Sequence, residues 1–125
     1  MNLKPDLKLD LKLRLLHGDD VAMGPGKADL LAAIAETGSI SAAARSMNMS
    51  YRRAWLLVDV MNKCFNEPLV HSAAGGAQGG GARLTETGLA ALAQFRAIES
   101  AARQAAQAGL SGLTALLKPA HEQSN

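Results

Sequence analysis

The chain has 125 residues, 48% hydrophobic but only 3% aromatic, with 13 Lys and Arg against 11 Asp and Glu for a net charge of +2. That length suits one domain with a single core and is short for two. An apolar content carried by alanine and leucine favours close-packed helices, and so mild a charge excludes an unstructured polybasic binder, leaving any nucleic-acid surface local. One cysteine, Cys64, excludes a disulfide framework and a multi-cysteine zinc site, and its place in the apolar pattern makes it a small core residue. No apolar run approaches the ~18 residues of a membrane span, and no signal-peptide block opens the chain, so a cytoplasmic protein is expected.

From Leu7 to Leu15 leucine occupies every odd position, with Lys8, Asp10, Lys12 and Arg14 between. This period of two predicts a half-buried strand. Its partner would be strand-like sequence in 69–84, giving a three-stranded sheet, or the same strand across a dimer. His17, Asp19 and Asp20 lack a fourth metal ligand and read as a solvated, turn-like stretch that leads into a turn over 19–26, where Gly24-Pro25-Gly26 breaks the chain.

Three helices are predicted within 27–66. Lys27 to Glu36 places Leu30, Leu31 and Ile34 inward and ends at Thr37-Gly38. Ile40, Ala43, Ala44 and Met47 share one face of a second, short helix, which Ser39 or Ser41 can cap. Asn48 suits a left-handed turn, and Ser50 can cap a third helix with Ala54, Leu57, Val58 and Met61 inward. Tyr51, Arg52, Arg53 and Trp55 then gather at its start, off the buried stripe, with Trp55 a core anchor. A short helix, a tight turn and a longer helix form a helix-turn-helix, whose second helix enters the DNA major groove by its N-terminal end. Arg45, Arg52, Arg53 and Lys63 against Asp59 alone concentrate positive charge there.

Pro68 stops the third helix. Leu69-Val70-His71 and Ala82-Arg83-Leu84 are predicted strands around a flexible glycine-rich tip, Ala73 to Gly81. Strand, loop and strand over 69–84 after a recognition helix is the pattern of a wing, whose Arg83 and N–H groups could lie along DNA phosphates. The tip lacks the Lys-Ser/Thr ending of a nucleotide-binding loop. A last helix is predicted from Glu86 to about Ala108, ended by Gly109, with Leu89, Leu92, Phe95 and Ile98 on one apolar edge and a slim alanine-rich C-terminal half. Core packing and dimerisation both use such an edge. Leu110, Leu113, Leu116 and Leu117 add a short amphipathic piece before a disordered tail, 119–125.

The runs G-S-I-S-A-A-A-R from Gly38, M-S-Y-R-R-A-W-L-L-V-D-V-M-N from Met49, E-P-L-V from Glu67 and G-G-G-A-R-L-T-E-T-G from Gly79 resemble the DNA-binding domain of the ModE family of molybdate-responsive transcriptional regulators. LysR-type regulators share the beginning and the end of this pattern, but S-Y-R-R-A-W and the polyglycine wing are more like the molybdate family. The resemblance covers about Gly26 to Gly88. It implies a mainly α fold with a small β-sheet: a winged helix-turn-helix with an N-terminal strand and a long C-terminal dimerisation helix over 86–108, binding a palindromic operator in double-stranded DNA as a homodimer. The DNA-reading role falls on Ser50, Tyr51, Arg52 and Arg53, with Arg83 as wing contact and Ser39 and Ser41 at the start of the preceding helix. In that family a separate C-terminal β-barrel senses molybdate or tungstate. No such domain is expected here, so a stand-alone member, or one whose sensor lies on another protein, is implied, with no oxyanion ligand, metal or cofactor assigned. Scattered His17, His71 and His121 and the absence of a carboxylate pair argue against an enzyme. A winged-helix protein-interaction module, or a LysR-like fragment without its own sensor, is the competing reading.

Overall fold

The computed structural model describes residues 7–73 and 81–118. Along them run β1 (Leu15–His17), β2 (Asp20–Met23), α1 (Pro25–Thr37), α2 (Ile40–Ser46), α3 (Tyr51–Cys64), β3 (Val70–Ser72), β4 (Ala82–Leu84) and α4 (Glu86–Thr114). This is the expected mainly α, winged helix-turn-helix order. The chain forms two compact units, Lys12–Arg96 and, separately, Met1–Leu11 with Ala97–Asn125.

The core of the first unit is built by Leu30, Leu31 and Ile34 of α1, Ala43 and Ala44 of α2, and Ala54, Val58 and Met61 of α3, all essentially inaccessible to solvent. Alanine where α2 meets its neighbours keeps side chains small at the contact, which permits close helix packing. Each boundary has a local cause. Pro25 opens α1, a position where its missing N–H costs nothing. Gly38 closes it with φ 78° and donates its N–H to Ile34 O at 2.8 Å. Ser39, rather than Ser41, caps α2 by accepting from Ala42 N at 2.8 Å. Asn48 is left-handed, φ 55°, as its side chain predicts, and Ser50 caps α3 by accepting from Arg53 N at 3.0 Å.

Several boundaries differ from expectation. The paired strand is Leu15–His17, not Leu7–Leu15, and it joins a local hairpin, so the described residues form two separate two-stranded sheets in place of one of three. Asp20–Met23, expected as turn, is the hairpin's second strand. Gly18, φ 61°, occupies the first of two central turn residues, as a type II′ hairpin turn requires. Short range wins because closing a two-residue loop costs less chain entropy than reaching 69–84.

In the wing, β3 and β4 are antiparallel with Val70 opposite Leu84, His71 opposite Arg83 and Ser72 opposite Ala82. Ala82 N also donates to Gly38 O at 2.9 Å, fastening the wing to the α1–α2 turn. The glycine-rich tip, 74–80, and the tail, 119–125, lie outside the described residues. Thr85 opens α4: its hydroxyl accepts from Gly88 N at 3.0 Å and donates to Pro68 O at 2.6 Å.

α4 continues through Gly109 to Thr114. A mid-helix glycine costs about 1 kcal/mol against alanine, which the alanine-rich turns around it absorb. Leu89, Leu92, Phe95 and Ile98 do not make one edge. Steps of three fall short of a full turn by about 60° each, so the ends of the set lie on opposite sides. Accordingly, Phe95 is buried while Leu89 is 55% and Ile98 57% exposed. In the second unit Leu7, Leu9 and Leu11 are half-buried and Lys8 and Asp10 exposed, so the period of two persists in burial although residues 7–14 belong to neither sheet. Cys64 is half-buried rather than enclosed.

Candidate nucleic-acid interface

The outward face of α3 follows from its inward one. At about 100° per residue, Ala54, Val58 and Met61 define the core direction, and Arg52, Leu56, Asp59 and Lys63 fall opposite it. All four are exposed. Arg52 therefore stands near the centre of the free face, Arg53 to one flank and Tyr51 to the other. Ser50 leads the helix, but its hydroxyl oxygen already receives the Arg53 N–H, so its local work is capping.

On the Tyr51 flank the ring meets Trp55 edge-on, with centroids 6.3 Å apart and planes at 81°. Trp55 is half-buried against the core, the anchor role expected of it, and holds the more exposed Tyr51 in place. The two rings, with Ser39, Ser41, Ser72 and Gly81, line a cleft of about 210 Å³ between the start of α2, α3 and the wing. Ser41 accepts from Arg45 Nη1 at 2.9 Å, which orients a basic side chain of α2. On the wing, Arg83 is exposed on the face it shares with His71, its cross-strand partner.

On the Arg53 flank lies a group the sequence reading missed. Burial pushes the Lys27 ammonium below the usual lysine value; Cys64 opposes this, Arg14 and Arg53 push it lower, and Asp20 opposes again. Arg14 and Arg53 thus stand near enough to Lys27 to act on its charge, as does one acid, Asp20. The stem of Arg14 runs beside Gly24, where an added Cβ would stand 3.4 Å from Arg14 Cγ. Three positions 13 and 26 residues apart carry no common periodicity, so no pattern announced them. Beyond Leu56, Asp59 and Lys63 close on each other at 2.9 Å.

The arrangement presents a central exposed guanidinium, with cationic or hydroxyl groups to either side. It brings together Ser39, Ser41 and Tyr51 around the cleft and sets Arg52 and Arg53 on adjoining faces; Arg83 stands separately on the wing. Among the described residues no group of three or more His, Cys, Asp or Glu could hold a metal ion, and no helix is long and apolar enough to cross a membrane.

A family profile described as bacterial regulatory helix-turn-helix protein, lysR family, matches residues 27–89. Relatives include the molybdenum-pterin-binding protein MopB of Rhodobacter capsulatus, 50% identical over 69% of this chain and 32% of its own. The molybdenum transport protein ModE of Azotobacter vinelandii is 45% identical over 62% of this chain and 29% of its own. The DNA-binding transcriptional dual regulator ModE of Escherichia coli strain K12 is 37% identical over 69% and 31%. The chain thus spans less than a third of the length of these relatives. Among solved structures, the full-length LTTR LysG from Corynebacterium glutamicum with bound effector Arg aligns over 76% of this chain and 30% of its own, with a TM-score of 0.52 and 24% identity, a likeness of fold.

Proposed function

From the premise that this chain belongs to the lysR family of bacterial regulatory helix-turn-helix proteins, we propose that it is a sequence-specific DNA-binding transcriptional regulator of the ModE-like type, acting in the cytoplasm as a homodimer on a palindromic operator. The observation that carries this reading is the free face of α3: Arg52 at its centre and Arg53 at its flank stand exposed at the start of a helix braced by α1 and α2. Arg52 reads a guanine edge by a bidentate contact and Arg53, with Arg14 and Lys27, holds phosphate. Tyr51, the hydroxyls of Ser39, Ser41 and Ser50, and Arg83 on the wing fasten the other side. The role is binding, not catalysis.

Dimerisation is supported by apolar side chains that α4 leaves uncovered in the second unit, Ile98 and Leu113.

The test is selection of bound sequences from random duplex DNA, repeated with and without molybdate, followed by affinity against salt. A palindromic site and a steep fall in affinity with salt are expected. Absence of binding at low salt overturns the reading in favour of a protein partner, and a molybdate effect would place oxyanion sensing on this chain.

A further inference from the structure

Leu56 is 55% exposed on α3 while its neighbour Leu57 packs against the core. A lone exposed leucine is ordinary on a protein surface; the position of this one is what matters. It lies about 40° round the helix from Arg52, between Arg52 and Arg53, and one turn, ~6 Å, further along the axis. The surface around it is polar: two guanidiniums on one side, the Asp59–Lys63 ion pair on the other. That pairing places a cation beside the one carboxylate on this face, so Asp59 does not oppose the approach of DNA.

The inference rests on the DNA-binding reading and deepens it. With the start of α3 in the major groove, a side chain ~6 Å beyond Arg52 comes level with base pairs one or two steps away, at 3.4 Å per step. Leucine has no donor or acceptor. In the major groove the apolar feature that distinguishes one base from the others is the C5 methyl of thymine. We propose that Leu56 is a specificity-determining residue that reads a thymine methyl one or two base pairs from the base contacted by Arg52.

The experiment uses the full chain and the duplex obtained by selection, with each thymine of one half-site replaced in turn by deoxyuridine, which lacks only the methyl. Wild-type affinity should fall about fourfold at one thymine and stay level at the rest, the loss that ~0.8 kcal/mol for one buried methyl-sized group implies. Leu56→Ala should bind the thymine and deoxyuridine duplexes equally at that position, with an unchanged melting temperature because the side chain is exposed. Indifference of the wild type to every replacement, a half-site with no thymine in reach, or a deoxyuridine penalty that survives in Leu56→Ala would each overturn the assignment while DNA binding stands. Failure to bind any duplex overturns the DNA-binding reading and this inference with it.

Discussion

Asn62 on α3 holds Val70 on β3 from both sides of its peptide: its amide donates to Val70 O at 3.2 Å, and its carbonyl accepts from Val70 N at 3.1 Å and from Leu69 N at 2.8 Å. One carboxamide thereby serves three backbone groups before the wing ladder begins and sets the first wing strand against the recognition helix. Asn62→Ala leaves those groups to find water in a partly buried place, at about 1–3 kcal/mol. Chemical denaturation should show that loss, and DNA affinity should fall with it through a misplaced wing. Asn62→Asp should fall between, since a carboxylate accepts from both N–H groups but cannot donate to Val70 O. A stability of Asn62→Ala equal to wild type would refute the clamp.

The two arginines should separate by experiment. Arg52→Ala should cost roughly 1–3 kcal/mol of discrimination at one base pair, relaxing the selected sequence there. Arg53→Ala should weaken binding evenly across sequences and lower the slope of log affinity against log salt by about 1. Both side chains are exposed, so circular dichroism melts should match wild type. Unchanged affinity in both variants would remove α3 from the interface.

Gly88 sits where α4 passes the backbone of Leu69, and a Cβ added there would run into the Leu69 carbonyl, a backbone group with no room to swing aside. Gly88→Ala should therefore destabilise despite alanine's higher helix propensity, by about 1–3 kcal/mol or more. Gly112→Ala, within the same helix but with open space at its Cβ, is the control and should stabilise by up to ~1 kcal/mol. If both variants gain stability, the close approach at Leu69 is absent in solution.

Lys27 should trade stability for binding. Its folded-state value lies below the ordinary 10.5, with burial the leading cause. In the window between the two values the unfolded chain holds the proton more tightly, so stability rises with pH through that window and the full penalty applies below it. Lys27→Gln should accordingly melt higher than wild type at pH 7, with the difference shrinking as pH approaches and passes 10.5. Measuring both proteins at each pH cancels the other titrating groups. The same variant should bind DNA less well by loss of a phosphate contact, and a lower melting point at pH 7 would contradict the buried-charge account.

The helix-turn-helix was legible because its determinants are local. Ser39, Gly38, Asn48 and Ser50 act on backbone within four residues of themselves, and the inward stripes of α1 and α3 follow from a spacing that any helix imposes. The hairpin at Gly18–Asp19 was open to the same kind of reading, since a two-residue Gly-Asp connection is a turn signal. The longer leucine alternation overlaps its first strand at Leu15 and obscures its start. On α4 the three-residue spacing of Leu89, Leu92, Phe95 and Ile98 suggested an edge that 3.6 residues per turn disperses.

The sequence alone determined where helices start and stop around the first turn of α3, and which side chains of α3 point away from the core, because caps, turn residues and helical period act over a few neighbours. Tertiary structure decided what surrounds that turn. The Asn62 clamp spans eight residues, the Ala82–Gly38 bond ties the wing to the α1–α2 turn across 44, and Arg14, Lys27 and Arg53 gather from three separate segments. Such meetings depend on how the helices pack in space, and packing between distant segments leaves no period along the chain from which to read them.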